Sequence, residues 1–148
     1  MRRVLLTLAT TAALTGCSVF GQGVSCTKAG MDSDVVVVWR PADFGGTDAA
    51  VIRVCVEDRC EERKSGAADN PIARLSVRLP DDIGAVSVPV RLKVTAARDD
   101  RVVVDDSRRA RLTEQHPNGT ACAPVAWTAA FRADPAKGLT SPEGLSLQ

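Results

Sequence analysis

Tyrosine is absent from the 148 residues, and the aromatic set stops at Phe20, Phe44, Phe131, Trp39 and Trp127. Single-stranded nucleic acids and sugars therefore lose the faces they usually stack on. Histidine occurs once, at His116, and there is no Cys-x-x-Cys, so a zinc site lacks its ordinary ligand set. Charge of one sign is also lacking. The formal net charge is +1, which gives a nucleic-acid partner no electrostatic footprint. The Val4–Leu14 stretch is apolar but only about 11 residues long, where a membrane-spanning helix needs roughly 20. Neither a Gly-x-Ser-x-Gly nor an Asp-x-Asp-x-Asp-Gly pattern appears, which removes the usual marks of a serine hydrolase and of a calcium loop.

What is present begins at the amino terminus. Arg2 and Arg3 precede the Val4–Leu14 run, and Leu14-Thr15-Gly16-Cys17 follows it. A positive start, a short apolar run and small residues at the cut make a secretory signal. The last four residues resemble the bacterial lipobox. That resemblance implies removal of residues 1–16 and acylation of Cys17, a diacylglyceryl anchor with chains of the palmitate class. Two acyl chains hold a protein to a membrane stably, whereas one holds it only marginally. Residues 17–25 then form a lipidated tether with Gly21 and Gly23. A flexible segment of that length reaches about 16 Å, so the folded part stays near the lipid surface.

Four further cysteines follow: Cys26, Cys55, Cys60 and Cys122. An even count in an exported chain reads as two disulfides, and three pairings are possible. We favour Cys55–Cys60 with Cys26–Cys122. Ile52, Val54 and Val56 alternate toward a core, which points Cys55 outward. A bond to Cys60 then closes a hairpin whose two-residue turn is Glu57-Asp58. Acidic neighbours on both sides raise a thiol pKa rather than lower it, so a redox role for this pair is not expected.

Valine-rich alternation recurs along residues 26–132, the expected domain. Asp34–Arg40 is apolar on both faces, and Trp39 reads as core. Ala73–Leu79 and Val86–Thr95 alternate cleanly, with Pro89 marking the latter as an edge strand or a bulge. Asp81-Asp82, Asp99-Asp100 and Asp105-Asp106 read as turns between short strands. Arg108, Arg109 and Arg111 read as a solvated face, with anionic headgroups as the other occupant. Cys122–Arg132 is expected to be the last strand, and residues 133–148 a loose tail. Seven to eight short strands, with Gly, Pro and Asp turns and no helical period, predict a single all-β sandwich. The order Cys26, Trp39, Cys122 resembles the Cys…Trp…Cys order of immunoglobulin domains, which implies an immunoglobulin-like sandwich.

The lipobox, the early Cys26, the Val-Cys55-Val hairpin with Cys60, and Pro117-Asn118-Gly119-x-x-Cys122-x-Pro124 together resemble small immunoglobulin-like lipoproteins of actinobacteria, whose function is unknown. The resemblance implies an extracytoplasmic, lipid-anchored protein at the cell membrane. It implies no activity, because fold alone supplies none. No catalytic residue, metal or cofactor is expected, and no nucleic acid. The expected partners are the membrane, through Cys17, and another envelope protein met through a sheet edge or the Cys55–Cys60 hairpin. The alternative is a small-ligand or ion binder with its site in loops such as Asp43–Asp48.

Overall fold

A computed structural model describes residue 26, residues 30–123 and residues 125–142. The expected signal peptide, Cys17, the tether and Pro124 lie outside the described residues. Nine strands occur among the described residues, with one 3-10 turn (Pro41–Phe44) and no α-helix. They are β1 (Asp34–Trp39), β2 (Ala50–Val56), β3 (Arg59–Lys64), β4 (Ala73–Arg78), β5 (Ser87–Ala96), β6 (Val102–Arg111), β7 (Thr113–Gln115), β8 (Ala126–Asp134) and β9 (Gly138–Thr140). One sheet has the order β4-β1-β8, with β7 and β9 both on the far side of β8; the other has the order β3-β2-β5-β6. The protein is thus an all-β sandwich.

Period-two alternation builds the core. In the first sheet Val35 sits between Val77 and Ala129, and Val37 between Leu75 and Phe131. In the second, Ile52, Val54 and Val56 on β2 face the core with Val90, Leu92 and Val94 on β5, all fully buried. Each such aliphatic side chain contributes roughly 1.5–3 kcal/mol by leaving water. Trp39 is fully buried and its indole N–H donates to the Ser65 carbonyl at 2.8 Å. Ser65 Oγ in turn accepts the Ala50 N–H at 3.3 Å, so the one polar atom of the tryptophan and its buried partner are both satisfied.

The structure redraws several elements. Val86–Thr95 is not an edge: β5 lies between β2 and β6. Proline is tolerated there because β2 ends at Val56, opposite Val90, and the Pro89 carbonyl accepts the Glu57 N–H at 3.2 Å. The missing donor of Pro89 therefore faces the β2–β3 turn and breaks no ladder bond. Asp105-Asp106 is not a turn either. Both acids lie inside the continuous strand β6, Asp105 on its outer face and Asp106 on its inner face. Val103 is the extra residue of a bulge, since Val94 pairs with Val104 and Thr95 with Val102.

The chain changes sheets after β6. Leu112 is buried at the crossing and its N–H donates to the Val86 carbonyl at 3.0 Å; β7 then pairs with β8 in the first sheet. The last long strand begins at Ala126, with Cys122 in the preceding turn, and it runs past Arg132 to Asp134. The expected loose tail is thus partly wrong. Residues 133–140 finish β8 and form β9, with Ala133, Gly138 and Leu139 buried.

Candidate functional site

Both disulfides join the cysteines that the sequence pairs. Cys55 and Cys60 stand directly opposite each other on β2 and β3, with Cα atoms 4.0 Å apart. In a hairpin with a two-residue turn this is the narrow, non-hydrogen-bonded pair, where side chains come closest. Cys26 and Cys122 are 96 residues apart in sequence with Cα atoms 5.7 Å apart. The covalent frame thus ties the entry of the domain to the turn before β8.

Cationic side chains crowd the outer face of the second sheet. Register places Arg91 beside Cys55, and Lys93 beside Arg53. Arg91 grips Asp105 with two hydrogen bonds, at 3.0 and 2.8 Å. That hydrogen bonding, with the nearby positive charge, holds the Asp105 carboxyl below the usual carboxylate range. Arg53 approaches Glu62 at 3.9 Å. Where β3 meets β4, guanidinium groups cover the seam. Arg63 donates to the Arg74 carbonyl at 2.7 Å and lies over the Trp39 ring at 5.9 Å, while Arg59 donates to the Arg78 carbonyl at 3.4 Å.

The opposite edge, β6, is different. Among the described residues no strand pairs with its outer side. Hydrogen bonding alternates along an antiparallel pair. Because Pro89 turns toward β2, its opposite residue Arg109 turns its N–H and C=O to the open side, as do Asp105, Ser107 and Arg111. The Ser107 N–H is taken by Asp106 Oδ1 at 2.8 Å. Asp106 Oδ2 accepts the Leu139 N–H at 2.9 Å and lies 3.3 Å from Arg108 Nε. The hydrogen bond from Leu139, followed by that from Ser107, keeps the Asp106 carboxyl below its ordinary range against the effect of burial. Exposed Val102 and Val103 mark the start of this edge.

A cleft of about 610 Å³ opens at one end of the sandwich. Phe44, Ala49, Ala50, Ala97 and Val103 give it apolar walls, with Asp43, Arg98 and Arg101 also lining it. Asp43 is paired with Arg132 at 3.4 Å, and Arg132 Nε is buried with no hydrogen-bond partner. Of the loop Asp43–Asp48, only Asp43, Phe44 and Gly45 line the cleft. Thr47 and Asp48 instead accept the Ala68 and Gly66 N–H groups, at 3.0 and 3.1 Å.

His116 Nε2 lies 3.6 Å from Glu114 Oε1, and its Nδ1 is buried without a hydrogen-bond partner. Among the described residues no group of three or more His, Cys, Asp or Glu is placed to hold a metal ion, and no helix is long and apolar enough to cross a membrane. Asp99 Oδ1 accepts the Arg101 N–H at 3.2 Å, an ordinary turn contact. Sequence reasoning missed Asp106, Arg132 and Gly138. Asp106 had one available signal: it shares the parity of buried Val104 and Ala110 on β6. Comparison with protein-family models, with curated proteins and with solved structures finds no match for this chain.

Proposed function

We propose that this protein is a lipid-anchored module on the extracytoplasmic face of a cell membrane, and that it engages an envelope protein, either a different one or a further copy of itself, through the open edge β6. Acylated Cys17 supplies the anchor, as the lipobox resemblance implies, and the likeness to small actinobacterial lipoproteins supports the same placement. The observation that carries the reading is the run of outward backbone groups at Asp105, Ser107, Arg109 and Arg111. Such groups are a template for strand addition. The β3 and β4 edges are crossed by arginines, which leaves β6 as the more open of these edges.

The test is isolation of the acylated protein from membranes in mild detergent, with Cys17→Ala as control. Intact mass should show loss of residues 1–16 and gain of the lipid. A stoichiometric complex, with a different protein or with a second copy of this chain, that is lost with Ser107→Pro supports the reading. An unacylated protein, or a partner indifferent to Ser107→Pro, sinks it.

The cleft beside Phe44 favours a second reading, a small-ligand binder serving a membrane system. Its size lies within the range of small-molecule sites. A ligand-dependent rise in melting temperature, abolished by Ala97→Trp, would support that reading over the first.

A further inference from the structure

We propose that the strand received at β6 is β6 of a second copy of this chain, paired antiparallel about a twofold axis at Ser107. The proposal rests on the reading of β6 as the interaction edge and names the partner there. The evidence is the charge order along the strand. Asp105-Asp106-Ser107-Arg108-Arg109 reads as two acids, a neutral centre and two bases. Antiparallel pairing centred on Ser107 sets Asp105 opposite Arg109 of the second copy and Asp106 opposite Arg108 of the second copy. The axis repeats both pairs. Val104 then falls opposite Ala110, and both are buried on the inner face.

Other registers fail on the same residues. Centring on Arg109 sets that arginine against itself, and centring on Asp105 does the same for an acid. Like charges directly opposite each other are destabilising. Parallel pairing brings acids beside acids and bases beside bases. A wholly acidic peptide would meet Asp105 and Asp106, so the mixed edge fits its own reverse better than a partner of one charge.

The backbone agrees with this register. Asp105, Ser107 and Arg109 all turn their N–H and C=O groups outward, so residues placed opposite each other would be hydrogen-bonding pairs. The Ser107 N–H, held by Asp106 Oδ1 in the single chain, is exchanged to the second copy. Asp105 keeps Arg91 and has lone pairs left for Arg109 of the second copy, since a carboxylate offers about four acceptor sites. The Val103 bulge bends the strand just beyond this segment and bounds the paired length. The isologous contact extends the second sheet from four strands to eight.

The test places the photoreactive amino acid p-benzoylphenylalanine at position 107 of the full chain in its native membrane, with position 76 on the outer face of β4 as control. Irradiation should yield a product of twice the monomer mass that contains only this chain, from position 107 and not from 76. Asp105→Arg and Arg109→Asp should each lower that yield about tenfold, the cost of facing like charges. The double variant Asp105→Arg with Arg109→Asp should restore it. A position-107 product containing a different protein overturns the second copy and leaves the edge reading standing. No product at all overturns both. A double variant that stays as low as the single ones overturns the register.

Discussion

Asp106 on the edge of one sheet holds Leu139 in the other, its Oδ2 accepting the Leu139 N–H at 2.9 Å. The same carboxylate takes the Ser107 N–H and approaches Arg108. One side chain thus ties β6 to β9 across the open end of the sandwich. Asp106→Asn keeps the shape but leaves a single neutral acceptor oxygen where two charged ones took the Ser107 and Leu139 N–H groups. We expect a loss of about 1–2 kcal/mol, the lower part of the range for charge-assisted bonds because the group is partly solvated. Urea unfolding followed by tryptophan fluorescence measures it, and an unchanged midpoint would show that the contact is slack.

Gly138 makes that approach possible. A Cβ at this position would run into the Asp106 carboxylate, and its φ of +73° lies in the left-handed region. Gly138→Ala therefore costs more than Asp106→Asn, about 2 kcal/mol or more. In Gly138→Ala/Asp106→Gly the added cost of the methyl group should shrink, because the Asp106 Cβ, Cγ and Oδ2 that it would strike are all removed and only backbone strain remains. Equal costs in the two backgrounds would refute the steric account.

Acid should weaken the fold, and the sign follows from three carboxyls. Asp105, Asp106 and Asp134 sit below their ordinary range, held chiefly by Arg91, by the Leu139 N–H, and by the Ala136 and Lys137 N–H groups respectively. A lowered carboxyl contributes stability above its unfolded pKa of about 3.9 and loses it as pH falls through the folded value. Asp34, raised chiefly by burial, works in the opposite direction. Urea midpoints should hold steady above about pH 5 and fall below about pH 4. Asp106→Asn should flatten that fall. A midpoint that rises on acidification would reverse the assignment.

The two disulfides should differ in worth. Cys55–Cys60 closes a short loop and Cys26–Cys122 spans 96 residues. On the chain-entropy model the short bridge contributes about 2 kcal/mol and the long one about 5 kcal/mol. Cys55→Ala/Cys60→Ala should leave a folded protein with a modestly lower melting temperature. Cys26→Ala/Cys122→Ala should lose far more, and calorimetry of both variants checks the order.

Glu57 opens the β2–β3 turn at a φ of +55°, a conformation costing an L-residue roughly 1–2 kcal/mol. Glu57→Gly should raise the thermal midpoint by relieving it, since the bridge beside the turn already limits the unfolded chain there. A drop would mean that the glutamate side chain contributes more than its backbone strain removes.

The β2 and β5 cores are legible in the sequence because a half-buried strand must alternate, and Ile52, Val54, Val56 and Val88 through Val94 do so without interruption. Where residues 102–111 run is not legible from spacing. Adjacent acids look like a turn when their partners, Arg91 and Leu139, stand 14 and 33 residues away. The tail is hidden for the same reason: Gly138 and Leu139 offer little apolar surface, and a distant carboxylate fixes them. Pro89 misleads because its effect depends on which neighbour its missing N–H faces, and that is a property of the sheet. For the candidate edge, the charge order of 105–109 is plain in the sequence. Its meaning needs the finding that, among the described residues, β6 has no strand on its outer side.

The parallel pairing of β1 with β8 sets an order of events as the chain is made. Val35 and Val37 find Ala129 and Phe131 only after more than ninety intervening residues have emerged. Until then one flank of the first strand has no neighbour, and contacts this distant in sequence form slowly. Any chain cut short before Ala126 lacks that neighbour altogether, so an incomplete product of synthesis keeps an unpaired flank on β1, a strand edge of the kind that invites aggregation.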